Sequence, residues 1–186
     1  MHQVEKRPTD ESVRLQIILA GIGGQGVVLA SRVLTQMALA RGLPVLSTEN
    51  HGMAKRGGSV VTTIKIGSFH CPMIRRGAGD VLLGLTRDEA LRNLPYLKRE
   101  GYCFVNSPEP DGEGLITVDA TSLAEQVENP RAANLALMGF AFAHRGLGLT
   151  VDDLITAVRA IVPARTVEAN LRAVQAGSEI ARKRFS

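Results

Sequence analysis

Short apolar runs bounded by glycine alternate along the chain with longer stretches whose apolar residues recur every third or fourth position. Leu15–Ala20 (LQIILA) is the first short run and reads as a buried strand. Gln25–Arg41 places Val27, Ala30, Leu34, Met37 and Ala38 at helical spacing, and Gly42 ends the helix. Pro44–Ser47 (PVLS) reads as a second strand. Residues 1–48 therefore predict a strand–helix–strand unit whose parallel pairing and handedness follow from chain geometry. Glu49–Gly58 (ENHGMAKRGG) is polar and glycine-rich and reads as a loop. Ser59–Ile66 (SVVTTIKI) alternates and is β-branched, and the two-residue turn Gly67-Ser68 predicts that Phe69–Ile74 pairs back antiparallel. Asp80–Leu85, Tyr102–Asn106 and Leu115–Val118 read as further strands, the last two separated by the turn-rich SPEPDGEG.

Thr86 with Glu89 predicts a capping box opening a helix to about Leu94, and Ser122 with Glu125 predicts another cap. Arg131–Arg145 is apolar almost all round. Such a helix needs cover on every side, and partial burial in an assembly is the reading taken. Thr150 with Asp153 opens a helix that Pro163 stops, and Val167–Arg182 is the last. Together these elements predict a three-layer, Rossmann-like α/β domain over residues 1–186, with a polar N-terminal tail at 1–13. Its sheet is mostly parallel with an antiparallel edge hairpin, and its C-terminal third is helical.

Composition narrows the classes. With 45% hydrophobic and 22% charged residues, the 186-residue chain is not mainly disordered. Its two cysteines, Cys71 and Cys103, are read as buried and inert. They exclude a disulfide framework, a four-thiolate zinc site and an iron–sulfur cluster held by this chain alone. No apolar run spans a bilayer and Met1–Ser12 lacks a secretory core, so a cytoplasmic protein is expected. The net charge of +4, carried mostly by arginine, suits anionic ligands or partners. With no tryptophan and few aromatics, nucleic acid is not expected. Arg182, Lys183 and Arg184 read as a solvated tail.

Two glycine loops carry the candidate chemistry. Gly21, Gly23 and Gly26, with Gly24 and Gln25 between, spell G-x-G-x-x-G between a strand and a helix. Such a loop lets a ligand approach the backbone, and the helix start favours a phosphate or carboxylate; equally, the glycines can serve tight strand–helix packing alone. Glu49 is the only candidate for the acidic residue that would clamp a ribose, and it lies late. The second loop adds Glu49, His51, Lys55, Arg56, Gly57 and Gly58. Leaving the second strand beside the first loop, it should face it and form a basic, glycine-lined mouth for a phosphate-bearing ligand or another protein. Arg75 and Arg76 extend this wall. No catalytic triad and no metal-binding spacing is present. A dinucleotide-dependent oxidoreductase acting alone and a nucleotide or acyl-coenzyme A binding module both remain open from the residues.

GIGGQGVVLASRVL, ENHGMAKRGGSVVTTIKIG, DVLLGL, NLALMGFAFA and VEANLRAVQAG resemble the gamma subunit (or gamma domain) of the 2-oxoacid:ferredoxin oxidoreductases, over Leu15 to about Gly177. The pairing of GxGGQG with the downstream Arg56-Gly57-Gly58 is the specific part. The HGM preceding it looks like the indolepyruvate-type subgroup. The resemblance implies a complex that oxidatively decarboxylates a 2-oxoacid, passing electrons to ferredoxin and the acyl group to coenzyme A. It implies thiamine diphosphate and iron–sulfur clusters on thiamine-binding and ferredoxin-like partner chains, and an accessory, noncatalytic role for this one in assembly and coenzyme A access. The two glycine loops with Lys55 and Arg56 would then meet coenzyme A phosphates, a partner subunit, or both. Asn134 and Asn170 are expected to brace helices. A homodimer of the isolated chain is compatible with this picture, and no nucleic acid or membrane partner is expected.

Overall fold

The structure, a computed structural model, describes residues 13–51, 57–112, 114–144 and 147–185. Among these residues six strands form one sheet: β1 (Leu15–Ile22), β2 (Val45–His51), β3 (Ser59–Ile66), β4 (Gly79–Gly84), β5 (Leu97–Asn106) and β6 (Leu115–Val118), in the order β2-β3-β1-β4-β5-β6. β1, β4, β5 and β6 run parallel, and β3 is antiparallel to both β1 and β2. The described residues also form the α-helices α1 (Val27–Ala40), α2 (Arg87–Asn93), α3 (Ala120–Gln126), α4 (Ala133–Phe142), α5 (Val151–Ile161) and α6 (Val167–Arg184). The expected class, a mostly parallel sheet with an antiparallel edge hairpin and a helical last third, is the class observed.

The hairpin lies elsewhere than expected. β3 spends both of its edges, one on β1 and one on β2, so Phe69–Ile74 has no strand edge to join. Gly67 ends β3 instead of turning it: its N–H donates to the Pro44 carbonyl at 2.8 Å. The segment that follows folds over the sheet, where Thr63 Oγ1 donates to the Pro72 carbonyl at 2.9 Å. β2 therefore starts the edge and is parallel to β1 without touching it. It also runs on through Glu49, Asn50 and His51, three residues expected in the loop.

The two sheet faces are covered unequally. Ile17, Leu19, Ile64, Ile66, Val81, Leu83 and Phe104 point into a large core with α1 and α3–α6. Ile18, Ala20, Leu82, Cys103, Val105 and Leu115 form a smaller core with Ala90 of α2 and Ile74. Val13, expected in the polar tail, is buried in the large core. Cys103 is buried on β5 and its thiol is pushed up to about 12 by burial, whereas Cys71 is exposed, against expectation. Asp80 accepts from Lys98 Nζ at 2.6 Å, a hydrogen bond that raises the Lys98 pKa above its ordinary value.

α4 corrects another expectation. Every position from Asn134 to Phe142 is buried by this chain itself, so the all-round apolar pattern marks core and not an interface. α6 packs directly on it: a Cβ on Gly139 would lie 2.1 Å from the Val174 carbonyl oxygen, and one on Gly177 only 1.9 Å from that of Ala136. The residues that carry the C-terminal resemblance are thus a glycine-to-backbone helix crossing. Thr150 and Asp153, expected to open a helix, do so as a capping box on α5. α3 is capped by Asp119 rather than by Ser122, which sits inside the first turn and donates to Asp119 Oδ2 at 2.6 Å. Arg184, expected in a solvated tail, closes α6 onto the sheet through Asp111 and, at 2.8 Å, the Thr117 carbonyl.

Candidate functional site

The first glycine loop is held from three sides. Gln25 Oε1 accepts from the Ile22 N–H at 2.9 Å, folding the loop back on the end of β1. Gly26 caps α1 in the left-handed region with φ 76°, and Asn134 Nδ2 donates to its carbonyl at 3.0 Å. Gly21 has packing reasons of its own: a Cβ there would meet Gln25, Leu85 and Val27, all at 3.0 Å. Gly23 and Gly24 are different. A Cβ on Gly23 would make only ordinary contacts, at 3.7 and 3.9 Å, and one on Gly24 would meet nothing within 4 Å. Packing accounts for Gly21 and Gly26; Gly23 lies against Gly57 and Gly58 at ordinary contact distance, and Gly24, with φ 98°, faces open space.

The second loop converges on the first. β1 and β3 pair to their ends, with Ile22 opposite Ser59, and the Gly23 N–H donates to the Gly58 carbonyl at 3.0 Å. Gly23, Gly57 and Gly58 therefore meet at one end of the molecule, as the sequence predicts. Lys55, Arg56 and the side chain of His51 lie outside the described residues. Glu49 is not part of this junction. It sits on β2, level with Leu19 across β3, and its side chain turns to α1, where Ser31 Oγ donates to it at 3.3 Å. With β3 inserted, two inter-strand spacings of about 4.8 Å each separate β2 from β1.

A cleft of about 630 Å³ opens on the other side of Gln25, over the carboxyl ends of β4, β5 and β6, and is lined among others by Gln25, Thr86, Arg87, Asn106, Glu109 and Thr121. A neighbouring hollow of about 260 Å³ shares Gln25, Asn106 and Thr121 and adds Gly24, Arg131 and Asn134. The floor is a polar network. Asn106 Nδ2 donates to Thr121 Oγ1 at 2.9 Å and to the Leu85 carbonyl at 3.3 Å, and the Thr121 N–H donates back to Asn106 Oδ1 at 3.2 Å. Arg87 reaches Glu109 across the rim at 3.2 Å. Sequence reading missed Asn106, Thr121 and Arg87. The signal was present: Asn106 ends the run YCFVN, and carboxyl ends of parallel strands line the crevice of such sheets.

Glu89 is also placed unexpectedly. Thr86 caps α2 by accepting from the Glu89 N–H at 3.4 Å, but the Glu89 carboxylate does not return the bond. It is buried, with Ser59 Oγ donating to Oε2 at 2.6 Å and Arg92 to Oε1 at 2.6 Å. Asn134 and Asn170 brace helices as expected, the second by donating to the Thr166 carbonyl at 2.8 Å and accepting from Asn129 at 3.3 Å.

These features define a class: a doubly wound α/β domain with a glycine loop where the chain crosses from one half of the sheet to the other, between β1 and β4. The chain belongs to the pyruvate ferredoxin/flavodoxin oxidoreductase family, which it matches over residues 16–180. It is similar to indolepyruvate oxidoreductase subunit IorB of Archaeoglobus fulgidus, at 31% identity covering 89% of this chain and 94% of that one. It is similar also to 2-oxoglutarate synthase subunit KorC of Methanothermobacter thermautotrophicus, at 32% identity covering 90% and 95%. Among solved structures, the gamma subunit of a keto/oxoacid ferredoxin oxidoreductase from Geobacter sulfurreducens superposes with a TM-score of 0.76 at 27% identity, covering 91% of this chain and 99% of that one.

Proposed function

We propose that this chain is the gamma subunit of a 2-oxoacid:ferredoxin oxidoreductase complex that oxidatively decarboxylates a 2-oxoacid to its acyl-coenzyme A. In this reading residues 1–186 form one cytoplasmic α/β domain that is not catalytic alone. It assembles with thiamine-binding and ferredoxin-like chains and helps admit coenzyme A, and ferredoxin takes the electrons from the complex. The indolepyruvate type is favoured by the HGM segment and by the similarity to IorB.

The redox groups fit other chains better than this one. Cys103 is sealed in the sheet and Cys71 is exposed, so the two offer no cluster ligand set. Among the described residues no three His, Cys, Asp or Glu are grouped to hold a metal ion, such as the one that a thiamine diphosphate needs. Coenzyme A fits better. Its phosphates suit Gly23 and the outward-facing Gly24, the loop bearing Lys55 and Arg56, and the arginines beside the cleft. The single observation that carries the proposal is the junction of Gly23 with Gly58, which joins the two sequence motifs of the resemblance in one place.

The test is reconstitution. The purified chain should show no oxoacid oxidation, and activity should appear on adding its partner chains. Arg56→Ala should weaken assembly or raise the KM for coenzyme A more than it weakens folding, read as the melting temperature of the lone chain. Turnover by the lone chain, or a fully active complex with unaltered coenzyme A dependence, overturns the proposal.

A further inference from the structure

We infer that Glu89 is a positioning residue for the junction of the two glycine loops. Glutamate is almost never fully buried unless it is paired, and Glu89 is 1% exposed. Local chemistry offers its carboxylate a good place, the reciprocal half of a capping box with Thr86. The equivalent pair on α5, Thr150 and Asp153, takes that place. Glu89 instead reaches across from α2 to β3 and binds the hydroxyl of Ser59, the residue directly after Gly57-Gly58. Ser59 pairs with Ile22, and the preceding Gly58 carbonyl accepts from Gly23. One contact from a buried carboxylate therefore fixes the half-buried residue at which both loops are tied together.

Arg92 completes the arrangement. Its side chain is 68% exposed, and it neutralises Glu89 from the solvent side. Asn93 Nδ2, donating to the Glu89 carbonyl at 2.9 Å, holds the helix turn beneath. A desolvated carboxylate is an expensive way to join a helix to a strand. Its geometry is spent on Ser59 and not on the helix cap, which sets the height of the Gly57–Ser59 foot against Gly23. The role rests on the proposed function, in which this junction meets coenzyme A.

The experiment uses the full chain, alone and reconstituted with its partner subunits. Glu89→Ala should speed amide exchange at residues 57–61 by about tenfold more than in β5. In the complex it should raise the KM for coenzyme A by about tenfold with kcat within about twofold. Glu89→Gln, which keeps an acceptor for Ser59, should restore most of both. Ser59→Ala breaks the same link while leaving the Glu89–Arg92 pair, and serves if Glu89→Ala does not fold. Faster exchange spread evenly over the sheet overturns the inference. So does an unchanged KM in Glu89→Ala where Arg56→Ala raises it. If Arg56→Ala leaves the KM unchanged, the coenzyme A reading fails, and the exchange pattern still decides whether Glu89 anchors the junction.

Discussion

Gly26 shows how one residue can serve two demands. Its φ of 76° is open to glycine at little cost, and its missing Cβ makes room for Asn134, whose Nδ2 would lie 2.5 Å from that atom. An alanine there meets the left-handed penalty of about 1–2 kcal/mol and an amide held by its own bond to the Gly26 carbonyl. Gly26→Ala should therefore lower stability by about 2–4 kcal/mol, read as the urea midpoint at constant slope. Asn134→Ala alone should cost about 1 kcal/mol for its lost hydrogen bonds. Because it also removes the clash, the double variant should be less destabilised than the sum of the two. Strict additivity would mean that the amide does not crowd Gly26. At this scale much of the site was legible. The sequence motif marked Gly21, Gly23 and Gly26 alike, but it could not separate the two needed for packing from Gly23, because that depends on Leu85, Val27 and Asn134 arriving from elsewhere in the chain.

At the scale of elements, periodicity carried far and failed where an element has no distinctive face. The helices α1, α5 and α6 fall where apolar spacing predicts them. α4 has apolar residues all round, so its pattern could not say what covers it; α6, α3, α5 and the sheet do. The missed signal was a pair of glycines inside helices, Gly139 and Gly177, where glycine costs about 1 kcal/mol against alanine. Both backbones touch through these gaps, and a methyl at either would meet a carbonyl oxygen that no side-chain rotation can move. Gly139→Ala and Gly177→Ala therefore set a propensity gain of about 1 kcal/mol against overpacking of about 1–3 kcal/mol or more. Backbone contacts at 2.1 and 1.9 Å put both at the upper end of that cost. A net loss of about 2 kcal/mol should lower the melting temperature by about 4–8 °C in a chain of this length. An unchanged or raised melting temperature for either variant would show that the helices can part freely. The misplaced hairpin has a similar cause: Gly67-Ser68 is a sound local turn signal, but strand order is a property of the whole sheet, and β3 had already used both edges.

At the scale of the whole molecule, sheet order decides what stands beside the glycine loop. A dinucleotide bound in the usual way needs an acidic residue at the end of the strand beside β1, where it reaches the ribose hydroxyls. Here that neighbour is β3, antiparallel and inserted between β1 and β2. The candidate Glu49 is carried one strand further out and turned toward α1, beside Ser31 and Ser47. Antiparallel insertion also brings a strand beginning, Ser59, to the glycine loop in place of a strand end, so the loop faces Gly57 and Gly58 and not a carboxylate. The glycine loop of a dinucleotide fingerprint is present, and a second glycine turn, Gly57-Gly58, stands beside it where a ribose-clamping carboxylate would be expected. The proposed coenzyme A reading, a phosphate-rich ligand held without a ribose clamp, is compatible with that arrangement. Thermal unfolding of the chain separates the two cases. Coenzyme A at about 100 times its dissociation constant should add about 2.7 kcal/mol, or roughly 5–10 °C, while a nicotinamide dinucleotide at the same concentration should leave the midpoint within about 1 °C. A shift with the dinucleotide and none with coenzyme A would mean that the loop still works as a dinucleotide fingerprint, with some other residue taking the place of Glu49.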